Sequence, residues 1–299
     1  MNKDINGFHH LGIISRNMGQ AIAQYERLGF LFTPLTIPRI PLQAGGAPEP
    51  IGAGNRCAIF RDNYLEVLAI VDPNRWSSIT REQRGPFDLD APLSRYQGLH
   101  VLHLGTLELD HVRERLLRVG LSPSEIRAFQ RMVDTPDGPQ MMRARCLSFP
   151  PGSNPEALLQ IAQHETPELV LQSRYMQHPN AAVSISEVIV CVADPDDVAQ
   201  RYAQYTDQPI QRRGEARVIE FGQSRILIAS PDHLPNILPG QGAPVVPFLA
   251  GFTVSSDLDA TKRLFENRAI GYQIHEKRLL VDAVDAHGTA VLFEDATKG

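Results

Sequence analysis

The chemistry available to this sequence lies in a few imidazoles and one oddly placed acid. His9 and His10 open an apolar run, His100 and His103 stand in a second, and Glu66 sits inside YLEVLAI, residues 64–70. Strand alternation puts Leu65 and Val67 on one face, and Tyr64, Glu66 and Leu68 on the other. A carboxylate on so apolar a strand is destabilising unless a counter-charge or a metal ion meets it. Two readings follow: Glu66 ligates a metal, or it faces solvent or pairs with an arginine such as Arg56. The same alternation groups His10 with Gly12 and Ile14, and His9 with Leu11 and Ile13. The latter two suit a helix-covered side, so His10 is expected to face inward and His9 is the weaker candidate. Imidazole with carboxylate is a mixed N/O donor set for a divalent ion such as Zn, Fe, Mn, Co or Ni.

Other chemistries lack their residues. There is no Gly-rich phosphate loop, no CxxC and no GxSxG elbow, which argues against nucleotide-dependent and serine-hydrolase functions. Thirty-four acidic residues against 29 basic ones give a net charge of −5 without a Lys/Arg cluster, so no nucleic-acid partner is expected. Cys57, Cys146 and Cys191 are odd in number and far apart, as in a reduced, cytoplasmic protein. The start, MNKDINGFHH, lacks a signal-peptide core, and the apolar stretch 243–254 is broken by Pro244 and Pro247. No membrane partner is expected. A small molecule is.

The elements that must position these groups come as a repeat. Strand followed by amphipathic helix opens at residues 8–30, 99–121, 186–210 and 252–272. In the first helix Ala21, Ile22, Tyr25 and Leu28 recur at helical spacing before Gly29. Short strand candidates follow each helix: 56–61 and 64–71, 141–149 and 157–162, 217–221 and 225–229, 278–283 and 290–294. The Pro- and Gly-rich stretch 33–54 is expected to be a long loop, and 72–97 an irregular connection. With 299 residues and 42% hydrophobic content, two compact domains are expected, 1–165 and 184–299, with a linker at 166–183. The fold class is α+β, four βαβββ modules.

The pieces FHHLGI, YERLGF, GAGN (52–55), YLEVLAI and HPNAA (178–182) resemble the vicinal oxygen chelate superfamily, and within it the glyoxalase-like domain proteins, a group that includes bleomycin-resistance proteins and extradiol dioxygenases. The resemblance implies that the modules pair into two open barrels. It also implies a divalent metal held by first and last strands of each module, which chelates a substrate through two adjacent oxygens. On this basis His10 and Glu66 are metal ligands, and Glu66 is also the catalytic base. Aligning Gly29 with Gly120 puts Val101 at the next ligand position, a departure from the pattern. His103, two residues on, shares that face, and a one-residue slip would exchange it for His100. Gln160, in EALLQIAQ, matches the last ligand, and an amide oxygen can ligate. Asn55 and Arg56 would line the pocket mouth. Arg143 and Arg145 would grip a substrate carboxylate, unless they are surface residues. Trp76 and Phe87 would form an apolar wall or anchor their loop.

In the second half Ile226 or Leu227 replaces Glu66, leaving Glu187 and Glu294 as solvated or structural acids in a degenerate site. Three functions are consistent with this reading. The first is a metal-dependent lyase or isomerase that stabilises an enediolate-like anion as a proton moves. The second is an extradiol ring-cleaving dioxygenase, and the third a non-catalytic small-molecule binding protein. The superfamily often dimerises, so the resemblance allows a homodimer.

Overall fold

A computed structural model describes residues 4–43 and 45–296. The first half contains β1 (Gly7–Ser15), α1 (Met18–Arg27), β2 (Arg39–Pro41), β3 (Pro48–Pro50), β4 (Ala53–Ile59) and β5 (Tyr64–Ile70). It continues through α2 (Pro73–Ser77), α3 (Arg81–Arg84), α4 (Asp90–Arg95), β6 (Gly98–Gly105), α5 (Leu109–Arg118), β7 (Arg127–Thr135), β8 (Gly138–Ser148) and β9 (Leu158–His164). The second half contains β10 (Ala182–Cys191), α6 (Pro195–Thr206), β11 (Gln211–Arg213), β12 (Ala216–Phe221) and β13 (Ser224–Ala229). It ends with β14 (Phe248–Ser256), α7 (Leu258–Asn267), β15 (Gln273–His275), β16 (Arg278–Val281) and β17 (Ala290–Asp295).

Two sheets organise these strands. One runs β4-β5-β1-β6-β9-β8-β7, the other β11-β12-β13-β10-β14-β17-β16-β15, and β2-β3 form a small ribbon. In each, an antiparallel pair lies at the centre, β1/β6 or β10/β14, and each of its strands has a parallel outer neighbour. The four strand–helix repeats therefore become two symmetric pairs of βαβββ modules, each pair curling one sheet into a half-barrel.

Local chemistry starts and stops the helices as their sequence implies. Asn17 caps α1 by accepting from the Gln20 N–H, and Gly29, at φ +91°, turns the chain out of it. The helix buries Ala21, Ile22 and Tyr25 against the outer sheet face, where Leu11 and Ile13 are inaccessible. This core is continuous between the halves: Phe8 packs edge-on against Phe221 at 5.3 Å, and Phe30 stacks on Phe293 at 5.9 Å.

The HPNAA segment ties the halves together. The Leu31 N–H donates to His178 Nδ1 at 2.9 Å, so Nε2 carries the proton that binds the Ile59 carbonyl at 2.8 Å. Asn180 donates to the Leu28 carbonyl and accepts from the Ala182 N–H. His178→Leu is expected to cost about 2 kcal/mol, because it leaves a buried N–H and a buried carbonyl without partners. Thermal denaturation measures the loss, and metal content should not change.

The connection 72–97 is more ordered than its sequence suggested. Three short helices, α2 to α4, fold Trp76 into a cluster with Ile14, Ile51, Leu93 and Val101, and Phe87 packs against it. Arg84 covers the indole at 4.1 Å, and the indole N–H donates to Asp90. Helices of four to six residues are too short for periodicity to reveal. The cluster plugs one end of the first half-barrel. Among the described residues, no helix is long and apolar enough to cross a membrane.

Candidate metal centre

Four neighbouring strands of the first sheet present the chemistry. Register sets His10 opposite His103 across β1/β6, opposite Tyr64 across β1/β5, and Gln160 beside His103 on β9. Glu66 lies on the same face as Tyr64, level with Gly12. A Cβ at Gly12 would stand 2.7 Å from the Val101 Cβ, so glycine lets the central strands close up at this level.

His9 departs from simple alternation. The β1/β6 register steps from Phe8–Leu104 to His10–His103, which makes His9 the extra residue of a β-bulge. Both imidazoles consequently turn into the barrel. Their Nδ1 atoms are 2.7 Å apart, and His9, His10 and His103 each offer a ring nitrogen within 4.8 Å of the others. His10 also stacks on Tyr64 at 4.5 Å, and its Nε2 lies 3.7 Å from Glu66 Oε2.

Electrostatics prepares this group for a cation. Burial pushes the Glu66 carboxyl up to about 7, although the Arg131 guanidinium and the Asn55 amide favour its ionised form. Burial pulls His103 down to about 3. It also pulls His10 and His9 well below the usual imidazole range, helped by their neighbouring imidazoles. Hence the His10–Glu66 contact is no ion pair near neutral pH, because burial keeps the imidazole uncharged there. Three neutral imidazoles beside one carboxyl suit a divalent cation, which needs deprotonated ligands. Buried nitrogens without hydrogen-bond partners, His9 Nε2 and both of His164, mark the same region as built for something besides protein.

The remaining sequence candidates divide by strand face. Asn55 reaches the site, donating from Nδ2 to Glu66 Oε1 at 2.6 Å. Arg56 does not: it is opposite Val67 on the helix-covered face, where it donates to the Thr33 carbonyl and meets Glu26. Arg145 likewise binds Asp110, Gln163 and Glu165 on the outer side, and Arg143 is exposed. Each of these three arginines lies one residue out of phase with the barrel face, so Arg56 is turned away from the barrel side and Arg143 and Arg145 take the surface alternative. His100 also points away and stacks on Tyr96 at 3.9 Å, which leaves His103 as the inward imidazole.

Several residues here escaped the sequence reading. Tyr64 lies two residues before Glu66 on β5 and Cys57 opposite it on β4, His164 stacks on His9 at 3.9 Å, and Arg131 acts electrostatically on Glu66, Tyr64, Cys57 and His164. Arg131 is on β7, at the far end of the sheet from β4, so the sheet must curl to bring it there. Counting by twos from Gln160 would have reached His164.

The second half-barrel has lost this donor set. Equivalent registers put Glu187 in the place of His10, Thr253 in that of His103, Leu227 in that of Glu66 and Leu292 in that of Gln160. Glu187 is fully buried and not solvated. It accepts from Arg225 at 2.6 Å, Arg278 at 2.9 Å and Thr253 at 2.7 Å, while Glu294 binds Arg225 and Ser186. A closed salt-bridge network stands where the first half keeps open donors.

Comparison with known proteins agrees with this architecture. The family profile described as a glyoxalase-like domain matches residues 8–206. No curated protein matches the chain. Among solved structures, a hypothetical protein from Staphylococcus aureus is similar at TM-score 0.62 and 13% identity, covering 97% of this chain and 99% of its own. A Mn(II)-bound glyoxalase from Novosphingobium aromaticivorans is similar at TM-score 0.53 and 10% identity, covering 97% and 82%. A mutant 4-hydroxymandelate synthase from Streptomyces coelicolor is similar at TM-score 0.56 and 12% identity, covering 99% and 94%. Identities this low speak for the fold alone; the profile match covers most of the chain. The protein belongs to the glyoxalase-like domain family of the vicinal oxygen chelate superfamily.

Proposed function

We propose that this protein is a metal-dependent enzyme of lyase or isomerase type, which moves a proton beside two adjacent oxygens of a small molecule. The observation that carries this reading is the set of ring nitrogens of His9, His10 and His103 within 4.8 Å of one another, with the Glu66 carboxyl 3.7 Å from His10 and held near neutrality. His10, Glu66 and His103 hold the ion, with the Gln160 amide oxygen as a further donor. The Novosphingobium glyoxalase is Mn(II)-bound, which supports a divalent ion in this protein. Its three unpaired cysteines support a reducing, cytoplasmic setting.

The ion, when bound, supplies Lewis-acid polarisation of the two substrate oxygens and so acidifies the adjoining C–H. The side chains do the rest. For His10 to offer a lone pair at Nε2, its Nδ1–H donates to His9 Nδ1, which fixes ring and tautomer. Tyr64, a phenol kept protonated by burial and by Glu66, braces the other side of the His10 ring. Asn55 occupies Glu66 Oε1, which leaves Oε2 as the oxygen that would ligate and, once displaced, would take and return the proton.

The test is solvent-deuterium exchange into 2-hydroxycarbonyl compounds, followed by NMR with and without reloaded metal. Metal-dependent exchange that disappears in Glu66→Gln is expected. Oxygen uptake with catechols under ferrous iron, without exchange, would replace this reading by ring cleavage. Tight ligand capture insensitive to chelator would replace it by simple binding.

Metal affinity should also depend on pH in a way set by Glu66. His103 has no proton to lose above about pH 3, whereas Glu66 keeps its proton up to about 7. Apparent affinity is expected to fall about tenfold per pH unit below neutrality and to level off above it, with about one proton released per ion at pH 6. Calorimetry in two buffers of different ionisation enthalpy measures that proton.

A further inference from the structure

We propose that Arg131, His164 and the outward nitrogen of His9 form an oxyanion subsite beside the ligand set, so that the substrate carries a carboxylate as well as its adjacent oxygens. This inference rests on the metal-site reading above and names the substrate class for it.

Arg131 stands opposite Met142 on the barrel side of β7, in phase with Ala144 and His164 through β8 and β9. It is half-buried, and among the described residues no carboxylate pairs with it and no hydrogen bond holds it. Among the described residues that situation otherwise occurs at exposed arginines, Arg127, Arg143 and Arg263. The barrel-facing arginines of the second half make the contrast plain. Arg225 has Glu187 and Glu294, and Arg278 has Glu187 and Glu276. In the first half Tyr64 stands at the register position of Arg225, and Arg131, on β7, makes no ion pair of this kind among the described residues, the acid it acts on through space being Glu66.

The neighbours point the same way. Both ring nitrogens of His164 are buried without partners, and so is His9 Nε2. His9 and His164 are stacked, so these unsatisfied atoms lie on one wall of the barrel. With His9 Nδ1 accepting from His10, the His9 proton sits on Nε2, a buried donor in want of an acceptor. A second cation beside a guanidinium is repelled, and a neutral ligand leaves the arginine unpaired. A carboxylate satisfies guanidinium and imidazole N–H donors together, in the forked geometry that favours arginine. The two clefts elsewhere, of about 250 and 220 Å³, offer no comparable set: one is lined by Tyr96, Gln241 and Phe248, the other by the paired charges around Arg225.

The test uses metal-reloaded full-length protein and two isosteric probes, a catechol bearing a ring carboxylate and the corresponding carboxamide, in both ring positions. Wild type is expected to bind at least one carboxylate isomer about tenfold more tightly than its amide, as suits a charge-assisted contact. Arg131→Met should erase that preference, read as the ratio of carboxylate to amide affinity in samples of equal metal content, and Arg131→Lys should restore part of it. The ¹⁵N resonances of His164 and His9 should move with the carboxylate probe and not with the amide. A metal-loaded protein without carboxylate preference, or a preference that survives in Arg131→Met, overturns the subsite alone. A protein that retains no metal overturns the reading beneath it, and elemental analysis of the same sample distinguishes the two failures.

Discussion

Glu66→Gln is expected to abolish metal retention and at the same time to stabilise the metal-free protein. The folded-state carboxyl titrates at about 7 instead of the ordinary 4.5, because burial opposes its charge. Below pH 4.5 the proton is present in folded and unfolded chains alike, and the carboxyl has no such cost. As pH rises from 4.5 to about 7 the unfolded chain ionises first, so stability falls; above 7 the penalty is constant. The difference corresponds to about 3 kcal/mol as an upper bound. An amide at this position keeps the Asn55 contact without the charge. Denaturant titration of chelator-treated wild type and Glu66→Gln should therefore give equal stabilities at pH 4 and a more stable variant at pH 8. Added metal should reverse the order, stabilising only the wild type. Equal stabilities at pH 8, or metal protection of the variant, would contradict this account of Glu66.

The second large effect is expected at Glu187, in the half that has given up its donors. Glu187→Gln removes the acid from between Arg225 and Arg278, leaving a guanidinium buried without a full counter-charge. Breaking such a pair costs about 3–5 kcal/mol. The Tm is expected to fall by about 10 °C. Metal content should be unchanged, because the network belongs to the other half-barrel. The triple replacement Glu187→Leu with Arg225→Met and Arg278→Met should recover most of the loss, since an apolar substitute strands no charge. A single variant with wild-type Tm would mean that this network carries no stability.

Much of this architecture was readable from repetition. Four strand–helix openings ending near Gly29, Gly120, Tyr205 and Gly271 were enough to imply paired βαβββ modules, because amphipathic spacing is a local property. Glu66 was legible for the same reason: its flanking residues are apolar, so its burial followed from alternation. The inward turn of His9, beside His10, follows from a bulge that inserts one residue into β1, and a period-two rule has no means of detecting an insertion set by the partner strand. The arginines were a matter of phase. In MMRARCL alternation puts Arg143 and Arg145 on one face without saying which, and Met142, Ala144 and Cys146 take the barrel side. Arg131 was invisible for a different reason. Its place in the site depends on the curl that carries β7 round towards β5, a non-local consequence of sheet closure. Glu187 looked like an isolated acid because its partners, Arg225 and Arg278, are 38 and 91 residues away in sequence.

Anomalous diffraction from crystals of the manganese- or zinc-loaded protein tests the central claim most directly. The expected result is one strong peak in the first half-barrel, about 2.0–2.2 Å from His10 Nε2, a His103 nitrogen and a Glu66 oxygen. A peak bound elsewhere, or none in crystals grown at saturating metal, would contradict it.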